Sequence, residues 1–259
     1  MSRKTDKSRI EVGGATPVTL PRALVAALRD AQHVCVLTGA GVSAESGVPT
    51  FRDAQSGLWA KYDPLDLATP EAFSRDPALI WRWYRWRREL VAKASPNPGH
   101  KALATLASRV PKLTLVTQNV DGLHQRAGSR DVIEFHGNIF ENRCFVENCV
   151  VAGDDMADIP NCPGCGGQLR PGVVWFGEAI PEPALNESFA AAASCDLFLS
   201  IGTSSLVYPA AGLTRIAADA GATVIEINPN PTAQADGFDF VLQGNAGVIL
   251  PKLVEYLPA

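Results

Sequence analysis

The sequence predicts an α/β protein in which helices cover both faces of a parallel sheet. Short, almost wholly apolar runs recur along the chain, as is typical of strands buried on both faces, at 33–38, 113–117, 197–201, 223–227 and 240–242. Helical stretches separate these runs, notably at 19–31, 186–193 and 209–220, and such alternation favours a parallel sheet. The runs end in Gly, Asn or Thr-Gly turns, and ligands bind at those carboxyl ends in open α/β sheets.

Composition excludes several classes of protein. Of the 259 residues, 46% are hydrophobic and 19% are charged, which is typical of a soluble globular chain and not of a disordered one. The net charge of −4 argues against a general nucleic-acid binder. No apolar segment is long enough to span a bilayer, so we expect no membrane partner. Residues 1–18 lack the apolar core of a secretory signal, and we expect a disordered tail on a cytoplasmic protein.

Two regions interrupt the alternation of strands and helices. Residues 57–95 carry an aromatic helical stretch without a strand pattern, and residues 138–178 carry four of the six cysteines. We expect these two insertions to form a smaller domain on the ligand-binding side of the sheet. The larger domain would then comprise residues 19–56, 96–137 and 179–259.

A glycine-rich loop follows the first predicted strand directly. It begins at Gly39 and fits the pattern G-x-G-x-x-[GA], with Ala44 in the last place. Glycines at these places permit a tight turn and a close approach to a pyrophosphate at a helix N-terminus. The motif alone is also compatible with a plain structural turn. Its continuation to Arg52 is too long and polar for a simple turn, and this arginine could reach a phosphate or a carboxylate.

Three other predicted strands also end in polar residues. Gln118, Asn119 and Asp121 follow one strand, Gly202, Thr203 and Ser204 follow another, and Asn228 and Asn230 follow a third. Because the carboxyl ends of parallel strands meet at one edge, these side chains should gather there. The sequence therefore predicts a dinucleotide cleft at this edge.

The four clustered cysteines predict a structural zinc site. Cys144 and Cys149 are separated by four residues, and Cys162-Pro-Gly-Cys165-Gly-Gly has the form of a zinc-ribbon knuckle. Four thiolates fill the tetrahedral coordination of Zn²⁺ and leave no open position for catalysis. The wider spacing of the first pair leaves the geometry of its loop open. Cys35 and Cys195 lie in apolar stretches and are interpreted as small core residues.

His136 is the histidine best placed for proton transfer. It follows a strand-like stretch at 132–135 and precedes a glycine, at the junction with the cysteine-bearing insertion. An imidazole titrates near neutral pH, which suits a general base. The alternative is a histidine with a structural role, the interpretation that we keep for His33, His100 and His124.

Two further segments have both a functional and a structural interpretation. In the helix that begins at Pro77, Tyr84 and Arg87 share a face with apolar residues, so Arg87 either extends to water or binds a carboxylate together with Tyr84. Residues 172–177 have β propensity, and they form either a core strand or an edge strand that pairs with an extended peptide.

At this point the sequence resembles a known family. The stretches 39–52, 117–121 and 135–137 look like the sirtuins, which are NAD-dependent protein-lysine deacylases, and the resemblance covers about residues 20–257. It implies a Rossmann-like, doubly wound parallel sheet with a smaller zinc-ribbon and helical domain formed by the two insertions. It also implies that NAD binds between the two domains.

The resemblance also implies a reaction and its residues. The acyl oxygen attacks C1′ of the nicotinamide ribose, nicotinamide leaves, and His136 activates a ribose hydroxyl so that the acyl group ends on ADP-ribose and lysine is freed. Asn119 would orient the ribose and its water, Asp121 would contact the nicotinamide amide, and Arg52 would lie near the ribose and phosphate. The NAD-binding residues implied are Gly39, Ala40, Gly41, Ser43, Ala44, Glu45, Thr50, Phe51, Arg52, Trp59, Gln118, Asn119, Asp121, Gly202, Thr203, Ser204, Asn228, Asn230 and Ala246.

The same resemblance implies where the acylated lysine binds. Tyr84 and Arg87 match the Tyr-x-x-Arg signature of the sirtuin subgroup that prefers succinyl- and malonyl-lysine, and Ala68 fits the small residue that keeps that pocket roomy. The peptide would lie between the segment at 205–208 and a second wall formed by Val173, Val174, Trp175, Phe176 and Gly177.

The sequence therefore predicts a deacylase that uses NAD, carries one structural Zn²⁺ and acts on acylated protein lysines, with no nucleic-acid partner and with a monomer favoured. Alternatives are a mono-ADP-ribosyltransferase with the same NAD chemistry and a plain deacetylase. A dehydrogenase fits less well, because no clear acidic residue ends the second strand and the zinc site is closed. A non-catalytic NAD-sensing or nucleic-acid-binding zinc module does not explain the full set of catalytic residues.

Overall fold

The computed structural model describes residues 8–11, 20–49, 62–152 and 158–258, and all structural statements refer to these ranges. In chain order the strands are β1 (Ser8–Glu11), β2 (His33–Thr38), β3 (Lys112–Thr117), β4 (Ile133–Glu134), β5 (Gly137–Cys144), β6 (Val150–Val151), β7 (Leu169–Val173), β8 (Leu197–Ile201), β9 (Thr223–Asn228) and β10 (Phe240–Gln243). The helices are α1 (Arg22–Asp30), α2 (Gly41–Ala44), α3 (Pro64–Leu67), α4 (Pro70–Arg75), α5 (Pro77–Lys93), α6 (Pro98–Arg109), α7 (Leu123–Arg126), α8 (Glu182–Ser194), α9 (Gly212–Asp219) and α10 (Ala246–Glu255).

The main sheet is parallel and has the order β1-β10-β9-β8-β2-β3-β4. From β2 the chain moves outward through β3 to β4, and it then returns to β8 on the other side of β2. The strand order therefore reverses between β2 and β8, and ligands bind at such a reversal in doubly wound folds. The predicted fold class is confirmed, and the five apolar runs coincide with β2, β3, β8, β9 and β10.

Both faces of the main sheet are buried along its central strands β2, β8 and β9, which explains why these strands are mostly apolar without alternation. Successive side chains of a strand point to opposite faces. On one face Val34 and Leu199 pack with helices α1, α6 and α10, and on the other face Cys35 and Phe198 pack with helices α8 and α9. Cys35 and Cys195 both belong to this second core, as the sequence predicted.

The two insertions pack against each other around a third core. One contributes helices α3, α4 and α5, and the other contributes an antiparallel sheet of order β6-β5-β7. Their shared core contains Phe73, Trp83 and Ile139, and the indole N–H of Trp81 donates to the carbonyl of Leu169 at 2.9 Å. The cysteine-bearing sheet is therefore anchored on the long aromatic helix α5.

Two expectations from the sequence are wrong. Ser8–Glu11, which we expected within a disordered tail, forms the edge strand β1 and pairs in parallel with β10. This pairing is set by the neighbouring strand and not by a local apolar run, since Ile10 is the only apolar residue of the four. Strand β7 ends at Val173, so residues 174–177 do not continue it.

The backbone explains why the strand stops there. The N–H groups of Val174 and Phe176 donate to the carbonyls of His136 and Ala68, and the N–H of Trp175 donates to the Glu178 carboxylate. These amide groups are therefore used in loop contacts and not in a ladder. Within the described ranges, no helix combines the length and the apolar character needed to cross a membrane.

Candidate functional site

A cleft of about 1340 Å³ lies at the carboxyl ends of β2, β3, β8 and β9, between the main sheet and the smaller sheet. This is larger than the usual small-molecule pocket of about 300–1,000 Å³, so the cleft has room for more than one ligand group. It brings together predicted residues that are far apart in sequence. Those that line it are Gly39, Ala40, Gly41, Ser43, Ala68, Tyr84, Arg87, Gln118, Asn119, Asp121, His136, Val173, Val174, Trp175, Phe176, Gly177, Gly202, Thr203, Ser204, Asn228 and Asn230.

Several predicted NAD-binding residues do not line this cleft. Ala44 and Glu45 lie just beyond its wall, and the Glu45 carboxylate accepts from the N–H of Gly247 at 2.7 Å. Ala246, next to that glycine, is buried at the start of helix α10. Glu45 therefore joins the glycine-rich loop to α10. Four other predicted residues, Thr50, Phe51, Arg52 and Trp59, lie outside the described ranges.

The glycine-rich loop packs directly against the turn after β8. A Cβ atom on Gly39 or Gly41 would lie 2.8 or 2.7 Å from the carbonyl oxygen of Gly202. Gly202 has a left-handed φ of +59°, and a Cβ there would lie 2.4 Å from the backbone nitrogen of Val42. The three glycines are therefore required by the contact between the two loops, and this contact closes the floor of the cleft at the strand-order reversal.

A buried hydrogen-bond network fixes the polar residues of the cleft. The Ser43 hydroxyl donates to Asp121 Oδ2 at 2.7 Å, and Asn119 Nδ2 donates to Gly39 O at 3.0 Å and to Ser43 Oγ at 3.1 Å. The other Asp121 oxygen accepts from the N–H of Leu123 at 2.9 Å. Asn119 and Asp121 are therefore pre-oriented by the protein itself.

Two histidines, His100 and His124, lie beside this network, and the sequence analysis gave them only a structural role. The rings of His100 and His124 lie 4.8 Å apart, His100 Nε2 is 3.4 Å from Ser43 Oγ, and His124 Nε2 is 3.0 Å from Thr38 Oγ1. Burial lowers the pKa of His124 to about 3, with a smaller contribution from His100, so this ring is neutral at physiological pH. No local pattern in the sequence indicates this contact.

His136 is held in one tautomer by the backbone. Its Nδ1 lies 3.0 Å from the carbonyl oxygen of Gln118. A carbonyl can only accept, so Nδ1 carries the proton, and in the neutral ring Nε2 keeps its lone pair. Burial lowers the pKa of His136, although the bond to Gln118 partly opposes this. The ring is therefore neutral near pH 7 and can accept a proton within the cleft.

One end of the cleft is an aromatic and cationic pocket. Tyr84 is buried, Arg87 is half-buried one turn further along α5, and Ala68 lies in the same cleft wall. The Arg87 guanidinium lies 4.9 Å from the centroid of the Trp83 ring. Burial lowers the pKa of Arg87, and the Tyr84 and Asp121 groups oppose that shift. Arg87 thus stays with the protein instead of extending fully into water.

The opposite end of the cleft is organised by Glu226, which the sequence analysis missed. This fully buried residue of β9 accepts from the N–H of Thr232 at 3.0 Å and from Asn228 Nδ2 at 3.3 Å. The same Asn228 nitrogen donates to the carbonyl of Thr203 at 2.9 Å. A glutamate inside an apolar strand is the signal that could have identified it, because a buried polar side chain needs hydrogen-bond partners.

The four clustered cysteines converge as predicted. The Sγ atoms of Cys144, Cys149 and Cys162 lie within 4.8 Å of one another, and Cys165 Sγ is 3.4 Å from Cys144 Sγ. A left-handed turn at Asn148, with φ of 54°, brings the widely spaced first pair together. In addition, the N–H of Gly167 points at Cys165 Sγ at 3.4 Å.

This donor set fits zinc. Four sulfur ligands with backbone N–H groups directed at them satisfy a tetrahedral Zn²⁺ completely. The ion, when bound, would tie β5 to the turn at 162–167 and would supply no open coordination position. The cluster therefore has the chemistry of a structural zinc site.

Known proteins resemble this chain in sequence and in fold. The Sir2 family model matches residues 39–209. NAD-dependent protein deacylase 1 of Pseudomonas aeruginosa is 52% identical over 246 residues, which cover 90% of this chain and 98% of that protein. The NAD-dependent protein deacylase of Methylococcus capsulatus is 50% identical over 244 residues, covering 90% and 96%.

Solved structures give the same result. A complex of a Sir2 homologue with NAD has a TM-score of 0.87 at 42% identity, covering 92% of this chain and 94% of that one. A Sir2 protein bound to an acetylated peptide has a TM-score of 0.81 at 30% identity, covering 90% and 97%. Because both its sequence and its fold match, this chain belongs to the Sir2 family.

Proposed function

We propose that this protein is an NAD-dependent protein-lysine deacylase that removes acetyl groups and also acidic acyl groups such as succinyl and malonyl. The observation that carries the proposal is the position of His136. Its neutral ring lies in one cleft with the polar strand ends on one side and with the Tyr84 and Arg87 pocket on the other. The names of the P. aeruginosa and M. capsulatus relatives support the same activity.

The cleft has the groups that a dinucleotide needs. Small or hydroxyl-bearing residues, such as Gly41, Thr203 and Ser204, leave room for a pyrophosphate beside the β2 and β8 ends. At the other end, Asn228 and Asn230 offer amides to a ribose. NAD, when bound, supplies the ribose carbon that takes the acyl oxygen as nicotinamide leaves, and the ribose hydroxyl that then receives the acyl group.

His136 acts as the general base in this proposal. Because its Nδ1 proton is held by the Gln118 carbonyl, Nε2 can take the proton of a ribose hydroxyl within the cleft. The positive charge that forms on the ring is stabilised by that same carbonyl, which accepts from Nδ1–H. General bases of this kind contribute typically about 10²–10⁴-fold to rate.

Asn119 and Asp121 orient the reacting groups. The Asn119 amide is fixed by Gly39 and Ser43, so it presents a constant face to the ribose and to a water molecule. Asp121 is fixed by Ser43 and the Leu123 amide, next to where a nicotinamide carboxamide would lie. Pre-orientation of this kind lowers the entropy lost on reaching the reactive geometry.

Acidic acyl groups are selected by Tyr84 and Arg87. A guanidinium offers a planar fork of donors that matches a carboxylate, and a phenol adds one more donor. Ala68, which is 4% exposed, is small enough to leave space for a chain longer than acetyl. An acetyl group would occupy the same cleft without using the arginine.

The peptide would bind at the mouth of the cleft. Phe176, Leu206 and Tyr208 line it and are unusually exposed for apolar side chains, at 42%, 55% and 72%. Because the N–H groups of residues 174–176 are already used, the peptide backbone would pair with carbonyl oxygens of this segment.

We also propose the domain division predicted from the sequence, with the peptide and NAD between the two parts.

The proposed compartment follows from cysteine chemistry. The six cysteines are all free thiols, two in the main core and four in the proposed zinc cluster. Thiols persist in reducing compartments, so we propose a cytoplasmic enzyme whose partners are acylated proteins.

The test measures nicotinamide release from NAD by chromatography. The reactions contain no peptide, a peptide with unmodified lysine, or the same peptide with acetyl- or succinyl-lysine. Release that requires the acylated lysine supports the proposal. His136→Ala should lower steady-state release about 10²–10⁴-fold, and any initial burst should not exceed the amount of enzyme, because the base acts only after nicotinamide has left. Release that is independent of acyl-lysine would instead favour ADP-ribosyl transfer or glycohydrolysis, and formation of NADH would favour a dehydrogenase.

A further inference from the structure

The sequence analysis assigned Trp175 to a wall of the peptide groove, whereas the structure buries its side chain beside Tyr84, in the pocket proposed for the acyl group. Its side chain is only 2% exposed, and its indole N–H donates to the Tyr84 hydroxyl oxygen at 2.8 Å. The two residues are 91 positions apart in sequence. The contact therefore joins the loop after β7 to the middle of helix α5.

The indole of Trp175 is fixed in place from several sides. The Arg170 guanidinium carbon lies 3.4 Å from the centroid of its ring, and the Phe73 ring packs against it with centroids 5.5 Å apart. The backbone N–H of Trp175 donates to Glu178 Oε2 at 2.7 Å, and Arg170 Nη2 donates to the same oxygen at 2.8 Å. Arg170 is itself 5% exposed, so this ion pair is largely shielded from water.

This contact determines what the Tyr84 hydroxyl can do. Burial raises the pKa of Tyr84 to about 12, so the phenol keeps its proton at neutral pH. An indole N–H can only donate, and it therefore takes a lone pair of the phenol oxygen and turns the phenol proton away from itself. Arg87, one turn along the helix, is also purely a donor and cannot accept that proton.

We propose that Trp175 determines acyl specificity: its indole N–H orients the Tyr84 hydroxyl as a donor toward the carboxylate of an acidic acyl group. Arg170 and Glu178 are positioning residues, because they act on the pocket through the ring and the backbone N–H of Trp175. This inference rests on the proposed function, since it explains how the Tyr84 and Arg87 pocket distinguishes succinyl from acetyl. The carboxylate supplies the acceptor that neither Trp175 nor Arg87 can offer.

The measured quantity is the ratio of kcat/KM for a succinyl peptide to that for the acetyl peptide of the same sequence. Trp175→Phe keeps a ring and removes the N–H. It should lower this ratio about 5- to 10-fold, which is less than the factor of about 10 or more expected for losing a whole hydrogen bond to a charged group, because the Tyr84 hydroxyl remains and only its orientation is lost. In a Tyr84→Phe background the same change should alter the ratio less than about twofold, because there is no hydroxyl left to orient. A purely structural role would lower the ratio equally in both backgrounds.

Trp81→Phe is the matched control. Its indole N–H is also buried and bonded, but to the Leu169 carbonyl, and Trp81 does not line the cleft. The ratio should be unchanged in this variant. If Trp175→Phe does not fold, Glu178→Gln weakens the hold on the indole from a half-buried position. It should lower the ratio about 2- to 5-fold, and again only when the Tyr84 hydroxyl is present.

The possible outcomes separate the two proposals. An unchanged ratio in Trp175→Phe, or an equal fall in the Tyr84→Phe background, would overturn the role of the indole and leave the deacylase assignment intact. A wild-type enzyme that cleaves acetyl but not succinyl peptide would overturn the acidic-acyl proposal, and the role of Trp175 with it.

Discussion

In the proposed function, the charge of Arg87 is the feature that separates this protein from a plain deacetylase. Arg87→Met removes this charge. Methionine keeps a flexible stem of similar length, so packing against the Trp83 ring, now 4.9 Å from the guanidinium carbon, is largely retained. What is lost is the planar fork of donors in the pocket beside Tyr84. An acidic acyl group would then enter a partly apolar pocket without a counter-charge.

The size of the effect follows from the bonds involved. Hydrogen bonds to charged groups are worth about 1.5–3 kcal/mol each. Two bonds from one guanidinium, taken at the lower end because they share a group, give about 3 kcal/mol, and each 1.4 kcal/mol or so is about tenfold in rate. The ratio of kcat/KM for succinyl peptide to that for acetyl peptide should therefore fall about 10²-fold. Tyr84→Phe should lower it less, since one neutral donor is removed and the ring is kept.

The assay follows both peptides at saturating NAD. Arg82→Met is the matched control, because Arg82 lies exposed on the same helix and away from the cleft, and its ratio should match wild type. If Arg87→Met lowers the two activities in parallel, Arg87 supports the helix or the fold and does not recognise a carboxylate. The account of acyl specificity would then be refuted.

Three other predictions concern the base, the metal and acid stability. His136→Ala should lower kcat about 10²–10⁴-fold while NAD still binds. Because burial lowers the pKa of His136, the wild-type kcat/KM should fall at acid pH with a midpoint below 6.5. Elemental analysis should find one zinc per chain. Cys162→Ser or chelation should unfold the smaller sheet, which hydrogen exchange would detect. Active protein that contains no zinc would contradict the structural role of the metal. His124 titrates near 6.5 in the unfolded chain and near 3 in the folded one, so the unfolded chain binds more protons between these pH values. The free energy of unfolding should therefore fall as pH drops through this range, by up to about 1.4 kcal/mol per pH unit. In urea titrations, His124→Gln should flatten this slope.

The main sheet was predictable because its central strands are buried on both faces. Burial on both sides requires runs such as Leu197–Ile201 to be apolar throughout, and that pattern is visible in the sequence. Strand β1 has no such pattern, because it lies at the edge and obtains its structure from pairing with β10. The loop after β7 has β propensity, but hydrogen bonds to His136, Ala68 and Glu178 divert its backbone.

The same distinction applies to the site. The four cysteines and the glycine-rich loop have fixed local spacing, so their roles were visible before the fold was known. The Trp175–Tyr84 bond and the His100–His124 contact were not, because each joins residues that only folding brings together. Glu226 could have been identified from the sequence as a glutamate inside an apolar strand, but the sequence analysis did not single it out.

The central claim is that an acyl group moves from a lysine to the ribose of ADP-ribose. The most direct measurement is mass spectrometry of one reaction mixture that contains NAD and a succinyl-lysine peptide. The account predicts equal amounts of nicotinamide, free-lysine peptide and succinylated ADP-ribose. With His136→Ala the last two should be nearly absent, and nicotinamide should not exceed the amount of enzyme, because the base acts after nicotinamide has left. Free-lysine peptide together with unmodified succinate and intact NAD, or ADP-ribose attached to the peptide, would contradict it.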